Sequence, residues 1–116
     1  MNHFMNAKHK ENMQFSALID GHELSMDTST ADGGNNSAAS PKKLMLAALT
    51  GCTGVDIVSI LNKMKVPFSD LSIEADAELT GEYTKVYSKV TVIYNIKISP
   101  ENRPKMQKAV NLSAEK

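Results

Sequence analysis

Cys52 is the only cysteine in the chain and its best candidate for covalent chemistry. A cysteine reacts as the thiolate, so it needs a cation, a histidine or a helix N-terminus to lower its pKa. The helix carrying Cys52 starts at Ser40-Pro41, roughly 17 to 18 Å away at 1.5 Å per residue. A helix dipole fades within its first turn and cannot act over that distance. Asp56, one turn further along the same face, disfavours a thiolate. An activating group must therefore come from another segment or another subunit. The competing reading makes Cys52 a small hydrophobe sealed inside a buried helix, a common fate for a free cysteine.

Other chemistry is thinly represented. His3, His9 and His22 are scattered and have one cysteine to help them, so no metal-ligand spacing forms and no cofactor is expected. Asp32-Gly33-Gly34 is glycine-rich but matches neither phosphate-binding pattern. No serine stands in a nucleophile-elbow context. Lys42 and Lys43 oppose the dipole in the first helical turn. They are either solvated or turned toward a site where they would attract an anion.

The element that positions Cys52 is the run from Ser40 to Asn62. Ser40 suits an N-cap and Pro41 the first helical position. Lys63-Met64-Lys65 makes a cationic last turn, and Pro67 stops the helix. Every residue from Leu44 to Leu49 is apolar, which predicts a helix covered on all sides. Ala47, Ala48, Gly51 and Gly54 leave one flank nearly bare. Interior glycines cost roughly 1 kcal/mol each against alanine, and close approach of a second helix would justify them.

Around this helix the patterns are those of strands. Met13, Phe15, Ala17 and Ile19 alternate with polar neighbours, Asp20-Gly21 signals a two-residue hairpin, and Leu24 and Met26 lie on the return. Thr28 to Ala39 has no period and reads as a crossover with some mobility. Leu71, Ile73, Ala75, Ala77 and Leu79 alternate with Ser72, Glu74, Asp76 and Glu78, giving an antiparallel strand with an acidic outer face. After a turn at Gly81 to Thr84, Val86, Val90, Val92, Tyr94, Ile96 and Ile98 form the inner face of a partner strand that can set lysines against those acids. Ser99 or Asn102 then caps a second helix with Met106, Ala109, Val110 and Ser113 inward. Hairpin, long helix, hairpin, helix is an α+β arrangement with antiparallel sheets. Four strands and one short helix cannot cover the central helix. A homodimer joined through its Ala/Gly flank would.

Size and composition agree with a single domain. The chain has 116 residues, with 13 basic and 13 acidic side chains in balance, so it carries no electrostatic footprint for nucleic acid or an anionic membrane. Residues 1 to 11 are polar and read as a flexible N-terminus, with 12 to 116 as the domain. No apolar region marks a secretory signal, and polar interruptions keep the central helix short of the ~18 apolar residues of a membrane span. A lone cysteine excludes an internal disulfide in the chain as given and suits a reducing, cytoplasmic setting. The last residues, Ala114-Glu115-Lys116, are still helix-forming, so the domain is expected to be cut short there.

Gly33-Gly34-Asn35, the run Ser40 to Leu49, Gly51-Cys52-Thr53-Gly54-Val55-Asp56, Val58-Ser59-Ile60-Leu61 and the stretch Ala109 to Lys116 together resemble the OsmC/Ohr superfamily of thiol-dependent hydroperoxide reductases, nearer its OsmC-like branch. The resemblance implies an OsmC-like fold, with antiparallel sheets wrapped around a long buried helix in an intertwined homodimer and sites at the interface. It implies that Cys52 is peroxidatic, reducing organic hydroperoxides in oxidative-stress defence and being recycled by a thiol or dithiol reductant. The second cysteine of similar proteins follows the segment matching Leu112 to Lys116. The Ohr-branch glutamate ten residues before the cysteine is Lys42 here. The family's thiolate-stabilising arginine comes from the early chain, whereas the one arginine here is Arg103. These departures keep open a second expectation: a non-catalytic dimer of the same fold, binding a small apolar ligand at its interface.

Overall fold

The computed structural model describes residues 2–81 and 87–114. Most of the expected turn at Gly81 to Thr84, Val86, and the helical ending at Glu115-Lys116 lie outside them. Packing divides the chain into two compact units, Met1–Met45 and Leu46–Lys116.

The first unit is a three-stranded antiparallel sheet in the order β1-β2-β3, with β1 at Ala7–His9, β2 at Phe15–Ile19 and β3 at His22–Met26. The β2–β3 hairpin turns at Asp20 and Gly21, with φ of 50° and 85°, as the type I′ signal requires. β1 falls in the stretch read as a flexible tail. It pairs with β2 because Lys10 N–H bonds to the Gln14 carbonyl and closes the connecting turn.

The stretch after β3 is not the open crossover its composition suggests. It folds through a 3-10 turn at Thr30–Asp32 and closes on Asp27, a side chain with no exposed surface. Ser40 then caps the long helix α1, Pro41–Lys63. Its Oγ accepts from Lys43 N–H at 3.3 Å and its carbonyl from Leu44 N–H at 3.0 Å.

The second unit holds most of α1, an antiparallel hairpin of β4 (Ser69–Leu79) and β5 (Tyr87–Lys97), and α2 (Arg103–Ala114). α1 ends at Lys63, and Lys65 takes a left-handed φ of 58° so that Val66 N–H reaches back to the Leu61 carbonyl. Two residues later stands Pro67, the expected stop. A 3-10 turn over Pro100–Asn102 leads into α2, which buries Met106 and Ala109 as its stripe predicts. Ile57, Leu61, Val66, Met106 and Ala109 form the core, with Leu71, Tyr94 and Ile96 of the hairpin and Ile98 just past it packed on it. On the outer face Glu78 stands opposite Lys89, and Asp70 pairs with Lys97 at 3.0 Å.

One expectation fails plainly. α1 is not covered on all sides within the chain: only Ile57 and Leu61 are buried, while Met45, Leu49 and Val55 are exposed. A 12-residue helix and a two-stranded hairpin have one apolar layer to offer, and α1 presents apolar residues around its whole girth. Its length and composition would also suffice to cross a membrane, where the polar interruptions had been expected to fall short.

Candidate active site

α1 advances about 100° per residue, so Cys52 shares its face with Ala48, Leu49, Val55 and Ser59 and lies diametrically opposite Leu61. Leu61 is fully buried; Cys52 is a free, exposed thiol. The reading of Cys52 as a sealed hydrophobe therefore does not hold within this chain. The core takes one side of α1, and the sulfur stands on the other, among exposed apolar neighbours.

Two adjoining hollows lie to one side of that face. Between α1 and β4 runs a groove of about 280 Å³, lined by Ala47, Thr50, Gly51, Gly54, Leu71 and Ile73 among others. A Cβ on Gly54 would meet Ile73 Cδ1 at 3.3 Å, so this glycine lets β4 approach the helix. At Gly54 the close neighbour is a strand of the same chain, where a second helix had been expected. A Cβ on Gly51 would meet nothing within 4 Å. Adjoining the groove along the same side of the helix, and sharing Gly51, Gly54 and Val58 with it, an open hollow of about 600 Å³ extends past Val55, Ser59 and Asn62.

α1 carries no basic residue between Lys43 and Lys63, so it cannot supply the cation that stabilises a thiolate. Asp56, on the same face as Cys52, is half-buried. Lys42 and Lys43 are exposed in the first turn, and Arg103 is exposed at the start of α2. The histidines stay apart: His9 in β1 sets its ring against Phe15 and contacts the Asn12 carbonyl at 2.7 Å, while His22 begins β3 opposite Ile19. Among the described residues no three His, Cys, Asp or Glu side chains are grouped to hold a metal ion.

The loop around Gly33-Gly34-Asn35 holds what sequence reasoning missed. One Asp27 oxygen accepts from Ser37 Oγ at 2.7 Å, Ser37 N–H at 3.1 Å and Asn35 N–H at 3.2 Å, and the other from Thr28 N–H at 2.7 Å. These donors, the Ser37 hydroxyl and N–H foremost, pull the carboxyl down to a pKa of about 2 against the opposing effect of burial. Gly34 is buried where any side chain would strike the Thr28 carbonyl and Asp27 Oδ1. Asp27-Thr28-Ser29 opening a loop rich in Ser, Asn and Gly was the available signal, since aspartate bonds readily to backbone N–H groups nearby.

Two antiparallel sheets and two helices, the longer carrying an exposed thiol at its middle, make this an α+β protein. The chain belongs to the OsmC-like protein family, whose model matches residues 34–116. It is 29% identical over 96 residues to protein YhfA of Escherichia coli K12, covering 83% of this chain and 69% of that one. An OsmC-like protein of unknown function from Vibrio cholerae superposes with a TM-score of 0.78 at 16% identity, covering 99% of this chain and 88% of that one. An organic hydroperoxide resistance protein, OsmC, from Legionella pneumophila does so with a TM-score of 0.65 at 22% identity, covering 97% and 83%. The α+β expectation and the family resemblance both stand on these matches.

Proposed function

We propose that this chain is a cysteine-dependent hydroperoxide reductase that works as a homodimer, with Cys52 as its catalytic residue. The observation that carries the reading is the exposed Cys52 sulfur on the apolar face of α1, in a chain of the OsmC-like family. The Cys52 thiolate attacks the terminal oxygen of a hydroperoxide. The O–O bond breaks, sulfur is oxidised to sulfenic acid, and the alkoxide takes a proton to leave as alcohol. An external thiol condenses with the sulfenic acid, releasing water and leaving a mixed disulfide. A second thiol resolves it and restores Cys52.

A second copy serves two needs in this proposal. It covers Leu49 and Val55, and it brings a cation to a helix that has none near its thiol. The apolar flanks of α1 suit organic hydroperoxides better than hydrogen peroxide. The proposal includes a reducing, cytoplasmic setting, where a lone exposed thiol persists. The test is stopped-flow consumption of cumene hydroperoxide with dithiothreitol as reductant. The wild-type chain is expected to consume it and Cys52→Ser to fall to the uncatalysed rate; equal rates would refute the assignment.

The groove between α1 and β4 favours a second reading, a non-catalytic dimer that binds a small apolar ligand. Iodoacetamide labelling against pH separates the two. A peroxidatic thiol is alkylated well below pH 8, whereas an unactivated one follows the free-cysteine value of ~8.5.

A further inference from the structure

A third hollow, on the other side of the hydrophobic core from Cys52's face, has the makings of a binding site. It lies between β5 and α2, encloses about 350 Å³, and is lined by Tyr94, Ile98, Arg103, Met106, Gln107 and Val110 among others. Its apolar wall is an edge of the core. Met106 is buried there, and Tyr94, Ile98 and Val110 pack against it with part of their surface still open. Such exposure is not required by the strand or the helix; it marks apolar surface left uncovered.

The polar residues that line this hollow are few. Arg103 is the only arginine of the chain, and among the described residues no carboxylate pairs with it. Gln107, one turn on, donates one amide hydrogen to Asn111 Oδ1 at 3.1 Å, and its other hydrogen has no partner among the described residues. Tyr94 is the third polar-bearing residue of the lining. Mostly apolar walls with a small number of directed polar groups are the usual composition of small-molecule sites, and the volume sits at their lower end. A guanidinium offers a planar fork of donors that fits a carboxylate in two parallel bonds.

We infer that the β5–α2 hollow binds a small carboxylate with an apolar body, its charged end on Arg103 and its hydrocarbon against Tyr94, Met106 and Val110. The class follows from charge and shape together. A purely apolar ligand would leave the guanidinium without an anion, and a bare inorganic anion would leave the apolar wall uncovered. The site is independent of the thiol, so it stands or falls apart from the peroxidase reading.

The test is titration of the 116-residue chain with octanoate, followed by amide chemical shifts and melting temperature, with octanol as the uncharged control. Octanoate is expected to shift amides of β5 and α2 and to raise the melting temperature with concentration, and octanol to do so at least tenfold more weakly. Arg103 is exposed, so Arg103→Gln keeps the fold and is expected to weaken octanoate binding at least tenfold. Val110→Trp, which fills the hollow, is expected to abolish it. The inference is overturned if octanoate shifts no β5 or α2 amide, if its shifts fall on α1 instead, or if Arg103→Gln binds as the wild type does.

Discussion

Val55→Asp tests whether the outward face of α1 is a surface or an interface. Val55 is 70% exposed and sits one turn beyond Cys52. Valine and aspartate have similar helix propensities, so in an isolated chain the substitution costs no more than about 0.5 kcal/mol, the usual range for exposed sites. Full burial of a valine side chain is worth ~1.5–3 kcal/mol, so covering the exposed portion contributes roughly 1–2 kcal/mol per copy. A two-fold contact uses the residue twice, which makes about 2–4 kcal/mol. At about 1.4 kcal/mol per decade, the dimer dissociation constant should rise roughly 30- to 1000-fold, before any cost of burying the new carboxylate. Sedimentation velocity over a range of concentrations reads that change directly. A wild-type chain that is monomeric at every concentration, or a variant whose dissociation constant does not move, would refute the reasoning.

Four further outcomes are expected. Leu61→Ala, on the fully buried side of the same helix, should cost about 2–5 kcal/mol in chemical denaturation, and a loss under 1 kcal/mol would contradict its place in the core. Asp27 has its native pKa pulled down to about 2, below the unfolded ~3.9, so the stability it contributes is fully present above about pH 5 and is lost as pH falls toward 2. Asp27→Asn should therefore be less stable at neutral pH, with its acid unfolding curve converging on the wild type near pH 2; parallel curves down to that pH would show that the carboxylate is not the acid-sensitive group. Gly34→Ala should destabilise, because its Cβ has to displace Thr28 and Asp27, whereas Gly51→Ala should stabilise a monomer by up to about 1 kcal/mol through helix propensity. A loss at Gly51 that scales with protein concentration would mean that a second copy lies against it.

Several elements were legible residue by residue. Ser40-Pro41 set the start of α1 because a hydroxyl that accepts from Lys43 N–H and a ring with preset φ act within one turn. Asp20-Gly21 set the first hairpin through two positive φ values. The alternation from Leu71 to Leu79 set β4 and its inward side, and Met106 and Ala109 set the buried stripe of α2. Cys52 was legible as the candidate nucleophile by being alone, and the pattern of the residues around it carried the family resemblance. β1 was not legible: three residues of a polar stretch owe their strand to pairing with β2, a contact outside their own sequence. Asp27 was missed for a related reason. Apart from Thr28 its partners lie eight to ten positions away, and the loop composition that signals such bonds does not say that the carboxylate is buried.

By itself, the sequence determined where elements begin, which residues alternate, and that one thiol would stand at mid-helix, because caps, turns and periodicity act over a few residues. Which side of α1 meets the core was decided only in three dimensions. A helix apolar around its girth fits several partners equally well, and the β4–β5 hairpin with α2 took the side of Ile57 and Leu61. That choice left Cys52 facing outward. Burial depends on what distant segments have to offer, and these had one apolar layer.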